Sequence, residues 1–399
     1  MILHNPQLHL LITLLNAITT KGNHNTHAVL KHLFFTPVQG HTIITATDLD
    51  LQLYWPIPNS GSGKQPSTTV NAAQQPQPLQ TPSSAPISWF LKIARTIKPG
   101  DHLEIRHDRH HLCLYPSRSP SARSPEPAID FKECPAFTTQ HFTTGGWLSH
   151  TTLEKAVSAI PFISTDETRH VLNGIHITTD GHIVATDGRK LAHAHTRGTQ
   201  LPRDIILPTR MIKAFTALAN GTVEGTGILY GPEHVRMQCW LSNTDHVSEQ
   251  ILAQHSGCYL RATLITGNYP NWRQVIPGTF TTILDITPEF LAILQVTLAR
   301  AKDKNTTTVT FELQANGTII AAIRASTNPG NIDLIDPTPA GTHIISTQQP
   351  LFTTCYNATF LLRCLQFSGL RLHCQDERST ATGGTPDSAQ TVLMPMRLN

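Results

Sequence analysis

Charge, closely spaced cysteines and long apolar runs are what this chain lacks, and each absence removes a class of function. Charged residues make up only 14% of the 399, and the formal net charge is +3 with 22 histidines counted neutral. A nucleic-acid contact must therefore come from a local basic face, not from a globally basic protein. The seven cysteines (Cys113, Cys134, Cys239, Cys258, Cys355, Cys364 and Cys374) include no CxxC pair. An odd count without a secretion signal reads as reduced thiols acting as small hydrophobes. The apolar N-terminal stretch is broken by His4, Asn5, Gln7 and His9 and has no basic segment before it, which argues against a signal peptide. No run approaches the ~20 apolar residues of a membrane span. The expectation is a soluble, cytoplasmic protein with no membrane partner.

Catalytic signatures are missing as well. The chain has no GxSxG, Walker loop, HExxH or paired-carboxylate pattern. Asp48, Asp50, Asp180 and Asp187 lack the regular oxygen ligands and closing Glu of a calcium loop. Asp180 and Asp187 are better explained as hairpin-turn residues, because Asp-Gly supplies the positive φ a turn requires. The Arg109-His110-His111 run has no companion Cys or carboxylate at ligand spacing. A non-catalytic protein without metal or cofactor is expected.

What is present is a repeated order of elements. Amphipathic helices are predicted at Pro6–Thr19, Ser149–Ile160 and Thr287–Ala301, the last with Pro288 in its first turn. Their spacing of about 140 residues is that of an ordinary domain. Each is followed by short alternating strands and a second helix, at Ile87–Ile97, Pro208–Ala219 and Asn357–Phe367. From Gly174 to Thr178, and again from His182 to Thr186, an apolar run meets a Thr-Asp-Gly turn, so a hairpin continues into a third strand from Lys190. Residues 59–86 are rich in Pro, Gln and Ser and read as a mobile insertion, and residues 116–127 are a shorter case. The apolar, nearly uncharged end VLMPMRLN reads as a tail docked on the body or lining a groove.

The order LNG (172–174), ATDGRKLA (185–192), Tyr269-Pro270-Asn271-Trp272-Arg273 and a terminal MPMRL, with TATDLDLQL near the N-terminus, resembles the beta subunit of bacterial DNA polymerase III, the sliding-clamp family. The resemblance runs from end to end. It implies an α+β, three-domain clamp (residues 1–139, 140–281 and 282–399), each domain with two channel-facing helices and outer antiparallel sheets, paired head to tail into a dimeric ring. It also implies a DNA-encircling processivity factor whose partners are duplex DNA of any sequence, the replicative polymerase, an ATP-driven clamp loader and other proteins with a clamp-binding motif.

The resemblance further implies a hydrophobic cleft for partner peptides. Its positions here are Leu172; Thr186, Gly188, Arg189, Lys190 and Leu191; Pro270 and Val275; Asn357 and Phe360; and Val392, Leu393, Met394, Pro395, Met396 and Arg397. Met adapts to several partner side chains, while Pro and Gly shape the wall; plain core with a docked tail is the other reading of the same apolar positions. Arg189-Lys190 replaces the family's more usual His-Arg, and Gln274 stands where Arg is common. Lys92, Arg95, Lys98, Lys155, Arg169, Arg210, Lys213, Arg300 and Arg363 fall on or near the helices that would line the channel. They are either solvated helix faces or phosphate contacts. Leu112 and Leu114 match the apolar half of the subunit contact, against Lys302, Asp303 and Lys304 on the other side, a more polar segment than the family's. A clamp-fold interaction protein that does not encircle DNA is the competing reading, and a dimer is what separates the two.

Overall fold

The computed structural model describes residues 1–19, 27–38, 41–58, 79, 81–108, 111–118, 120–125, 128–129, 133, 144–214, 226–230, 234–239, 259–313, 319–328, 331–335, 342–347, 353–385 and 389–396. The chain opens with β1 (Ile2–His4), α1 (Asn5–Thr19), β2 (His32–Val38), β3 (His41–Thr47), β4 (Leu51–Pro58), β5 (Ser83–Pro86), α2 (Ile87–Ala94), β6 (His102–Asp108), β7 (His111–Pro116) and β8 (Ala122–Arg123). It continues with β9 (Thr144–Leu148), α3 (His150–Ala159), β10 (Gly174–Ile177), β11 (His182–Thr186), β12 (Lys190–His195), β13 (Ile205–Pro208), β14 (Thr226–Tyr230), β15 (His234–Cys239) and β16 (Tyr259–Thr263). The last third holds β17 (Thr282–Ile286), α4 (Pro288–Arg300), β18 (Thr308–Leu313), β19 (Ile319–Asn328), β20 (Asn331–Ile335), β21 (Thr342–Thr347), β22 (Thr353–Asn357), α5 (Ala358–Ser368), β23 (Arg371–Cys374), β24 (Ala381–Gly384) and β25 (Ala389–Leu393).

These elements form two compact units. The first comprises Met1–Leu153, Gln200–Pro202 and Arg210–Leu264. Among its described residues lie an eight-stranded sheet, β5-β2-β3-β4-β16-β15-β14-β9, and a four-stranded sheet, β1-β6-β7-β8. The second comprises Glu154–Thr199, Arg203–Thr209 and Ile265–Asn399. Among its described residues lie a nine-stranded sheet, β13-β10-β11-β12-β25-β24-β23-β17-β21, and a four-stranded sheet, β20-β19-β18-β22. Neighbouring strands run antiparallel, as in β3–β4, β12–β25 and β18–β22, so the fold class is the expected α+β.

The helices sit where the apolar spacing predicts them. In α1, Leu8, Leu11, Leu14 and Leu15 are no more than 1% exposed, and each such burial stabilises by roughly 1.5–3 kcal/mol relative to exposure. Thr287 caps α4 by accepting the Phe290 N–H, with Pro288 in the first turn. Asn357 does the same for α5. The helix predicted at Ile87–Ile97 stops at Ala94, and Arg95 closes it in a turn. Residues 209–214 are helical, and the rest of the helix predicted to Ala219 lies outside the described residues.

Several expectations change on inspection of the strands. Residues 59–78 and 80 of the Pro/Gln/Ser-rich stretch lie outside the described residues, but Ser83–Pro86 is β5 and pairs with β2 through Leu33↔Ala85 and Phe34↔Ser84. Backbone pairing there outweighs an unpromising composition. Leu112 and Leu114 are fully buried in β7. Alternation directs both into the interior of the first unit, so their side chains present no apolar surface to a second copy. Lys302, Asp303 and Lys304 are exposed in a turn after α4. No helix among the described residues is long and apolar enough to cross a membrane.

Candidate functional site

The second unit gathers the segments that carry the cleft positions. Its organising element is β25, fifth of nine strands in the sheet and paired on one side with β12 through Lys190↔Leu393, Leu191↔Val392, Ala192↔Thr391 and His193↔Gln390. On its other side β24 pairs through Ala381↔Leu393 and Thr382↔Val392. Val392 and Leu393 are therefore core, 3% and 1% exposed. Beyond them the chain changes character. Met394 is 51% and Met396 39% exposed, yet their backbones are fixed, because the Met394 N–H donates to the Arg189 carbonyl (3.1 Å) and the Met396 N–H to the Cys355 carbonyl (2.7 Å). The two readings of the tail thus divide at a residue boundary, docked strand up to Leu393 and displayed methionines after it. Arg397 lies outside the described residues.

Beneath the methionines Val392 joins Val184, Leu191 and Trp272 in one buried cluster, with Tyr269 and Ile276 packed against it. Val275, three residues past Trp272, is 50% exposed, and Pro270 is exposed. Exposed apolar side chains thus stand on segments anchored in the same cluster, an arrangement that suits partner contact better than solvent. Burial pushes the Tyr269 hydroxyl well above the ordinary tyrosine range, and its ring stacks on His176 at 4.6 Å. Leu172 is buried at the end of a short 3-10 helix, Glu167–Leu172, that Asp166 caps through the Thr168 N–H.

The turn joining β11 to β12 supplies the polar side. Asp187 accepts the N–H groups of Arg189 (2.8 Å) and Lys190 (2.9 Å), while Thr186 Oγ1 accepts the Gly188 N–H (3.0 Å). Gly188 holds φ +86°, the left-handed conformation that glycine adopts without a steric penalty. Lys190 is buried, its ammonium paired with Asp187 and 4.3 Å from the centre of the Phe360 ring, a cation–π contact strengthened by desolvation. Asn357 is buried as the cap of α5, and its amide also donates to the Asn305 carbonyl at 2.8 Å. It therefore positions Phe360 through the helix start, not by offering a free side chain. Arg189 is exposed.

Of the basic residues, Lys92, Arg95, Lys98, Lys213, Arg300 and Arg363 are exposed and Lys155 is half-buried. Two others are engaged elsewhere. Arg210 donates to the carbonyls of Ala17 (3.0 Å) and Ile18 (2.7 Å) and pairs with Asp48, so it caps the C-terminal end of α1, where a cation is favoured. Arg169 is not on a helix face. Its guanidinium donates to the Asp187 carbonyl at 3.3 Å, which puts it at the β11–β12 turn among the cleft positions. The sequence held no signal for that shift, because the 3-10 helix carrying Arg169 has a non-helical residue inside it. Trp272 was visible in the Tyr-Pro-x-aromatic-Arg stretch, but its central packing follows only from the fold. No group of three or more His, Cys, Asp or Glu among the described residues is arranged to hold a metal ion.

Comparison with known proteins gives a consistent result. No family model matches the chain. The beta sliding clamp of Vibrio cholerae is 24% identical over 403 residues, 98% of each chain. That of Haemophilus influenzae is 23% identical over 370 residues, 89% of this chain and 88% of the other. Among solved structures, the sliding clamp of Bartonella birtlesii bound to griselimycin superposes over 100% of this chain and 99% of that one, with a TM-score of 0.76 at 17% identity. In sequence over nearly the whole length, and in fold, the chain is similar to the bacterial DNA polymerase III beta subunits, the beta sliding clamps.

Proposed function

We infer that this chain is a replicative sliding clamp, a non-catalytic accessory subunit that closes with a second copy, head to tail, into a ring around duplex DNA and holds the polymerase on its template. The observation that carries the reading is the end of β25, where two methionines stay exposed on a backbone pinned to Arg189 and Cys355. A short extended peptide would lay apolar side chains against the exposed Val275, Met394 and Met396, with Leu172 and Leu191 buried behind that surface and Arg169 and Arg189 at the rim. Polymerase, ATP-driven clamp loader and other partners would compete for that surface.

In this reading the chain has three domains, residues 1–139, 140–281 and 282–399, to which α1 and α2, α3 and the helix from residue 209, and α4 and α5 contribute two channel helices each. The exposed cations Lys92, Arg95, Lys98, Lys213, Arg300 and Arg363 and half-buried Lys155 would meet phosphates without reading bases. Encirclement retains such a protein without tight contact, so the small net charge of +3 suits sliding. Because Leu112 and Leu114 are buried, subunit contact would come from strand-edge backbone and exposed neighbours. The test is retention on nicked circular duplex after loading by an ATP-driven loader. Retention should be lost when the circle is linearised, and equal retention on both forms would reject encirclement.

A further inference from the structure

Next to the apolar cluster of the second unit lies a set of contacts that closes on itself. The His193 ring, buried on β12, stacks on Trp272 with centroids 4.5 Å apart and planes 26° from parallel. Its Nε2 lies 2.8 Å from Nδ1 of His182 on β11. His182 Nε2 is 3.3 Å from the Asp180 carboxylate, which the Thr178 hydroxyl also bonds. Asp180 in turn is 3.7 Å from the Arg273 guanidinium, and that guanidinium lies 4.3 Å from the centre of the Trp272 ring. Asp180, His182, His193, Trp272 and Arg273 thus form a loop of contacts drawn from the β10–β11 turn, β11, β12 and the 3-10 helix Trp272–Val275.

Trp272 is the member that matters for binding. It is 5% exposed and packs with Leu191 and Val392, the residues from which the turn and the exposed methionines extend. Val275 ends the same 3-10 helix that Trp272 begins, and Met394 follows two residues after Val392 of the same cluster. Trp272 is fixed by polar neighbours as well as by apolar ones, which defines one ring orientation more sharply than packing alone.

We propose that the His193–Trp272 stack, held by the His182–Asp180–Arg273 contacts, positions the floor of the partner-peptide groove, and that His193, Trp272 and Arg273 are positioning residues for peptide affinity. This rests on the groove reading above. It requires His193 to be neutral. The groups facing it are His182 from β11, His195 on its own strand, Arg273 from the 3-10 helix and Gln390 opposite on β25, and no carboxylate is among them. Burial, followed by the repulsion of those cationic or ionisable neighbours, pushes its pKa down to about 4; burial also lowers that of His182. A proton on His193 would repel Arg273 from Trp272, whereas one on His182 would also be drawn to Asp180. The unfolded chain takes up this proton near pH 6.5 and the folded chain near 4, so stability falls as pH drops from 6.5 toward 4, while in the folded chain His193 stays neutral and the stack intact until pH nears 4.

The test is titration of the full-length chain with a fluorescent peptide taken from the replicative polymerase, between pH 8 and pH 4, with thermal melting of every variant at each pH. Affinity of the unaltered protein should be flat from pH 8 to about pH 5 and fall as pH approaches 4, whereas the melting temperature should begin to fall below about pH 6.5. His193→Ala should weaken binding about tenfold at pH 7.5, and His193→Phe, which restores a ring without a titrating nitrogen, should recover affinity and flatten the acid limb. Arg273→Met lies on the surface and should weaken binding three- to fivefold without altering the melt. Unchanged affinity in Arg273→Met, or failure of a folded His193→Phe to flatten the pH profile, overturns the proposal. The double change Met394→Ala, Met396→Ala separates this from the groove reading: if it also leaves affinity unchanged the groove itself is wrong, whereas if it alone weakens binding only the positioning role fails.

Discussion

The turn between β3 and β4 in the first unit and the turn between β11 and β12 in the second share one hydrogen-bond scheme. Leu49 N–H donates to Thr47 Oγ1 at 3.0 Å as Gly188 N–H does to Thr186 Oγ1 at 3.0 Å. Leu51 N–H reaches Asp48 at 2.8 Å as Lys190 N–H reaches Asp187 at 2.9 Å. Each turn then leads into a strand paired with a later one, β4 with β16 and β12 with β25. Even the next contact repeats, Thr263 N–H to the Asp50 carbonyl (3.0 Å) and Met394 N–H to the Arg189 carbonyl (3.1 Å). The side chains on this common frame diverge. In the first unit Asp48 takes Arg210, which caps α1, and the strand runs on into buried Leu264. In the second Asp187 takes Lys190 beneath Phe360, and the strand ends in exposed methionines. A backbone device used twice has been closed in one place and left open in the other, so the site resides in its side chains and not in the frame.

Cutting the chain at two points is the severest way to break this comparison. Ending it after Gln390 removes Thr391, Val392 and Leu393 from the middle of the nine-stranded sheet, and should unfold the second unit, at a cost above about 4 kcal/mol. Ending it after Leu393 should leave a cooperative melt and weaken only peptide binding, by about tenfold or 1.4 kcal/mol. Equal melting of the two truncations would mean that β25 is dispensable.

Arg210→Met tests the closed turn. It strips two α1 carbonyls and Asp48 of their cation, and should lower stability by about 2–3 kcal/mol while peptide affinity stays constant. Chemical denaturation and peptide titration of the same sample decide it.

The smallest effects come from exchanging the left-handed residues. Leu49 holds φ 82° with its side chain 56% exposed, a conformation that costs a leucine roughly 1–2 kcal/mol. Leu49→Gly should stabilise by up to about 1 kcal/mol, since relief of strain exceeds the added chain entropy. Gly188→Leu should destabilise by about 1 kcal/mol and weaken peptide binding, because a Cβ there comes within 3.2 Å of the Arg169 guanidinium. Opposite signs in the two melts support the shared frame, and matching signs argue against it.

Much of this was legible in the sequence because local chemistry governs it. The apolar stripes of α1 and α4, the caps at Thr287 and Asn357 and the β10–β11–β12 meander follow from periodicity and turn residues that act over a few positions. Long-range packing was not legible. Nothing near Leu112 and Leu114 says that both face inward, and nothing near Arg169 or Arg210 says which carbonyl each will meet 18 or 193 residues away. Val392 and Met394 look alike in composition; only the register of β25 makes one core and the other surface.

That register has a consequence for how the protein is made. Strand β25 separates β12, about 200 residues earlier, from its nearer neighbours β24 and β23, so the sheet of the second unit cannot knit together while residues 389–393 are still inside the ribosome. Contacts of such span form late and leave strand edges bare in the meantime. A chain stalled by a truncated message would therefore lack the displayed methionines that follow β25, and its unpaired β12 and β24 edges would mark it for chaperones or proteases.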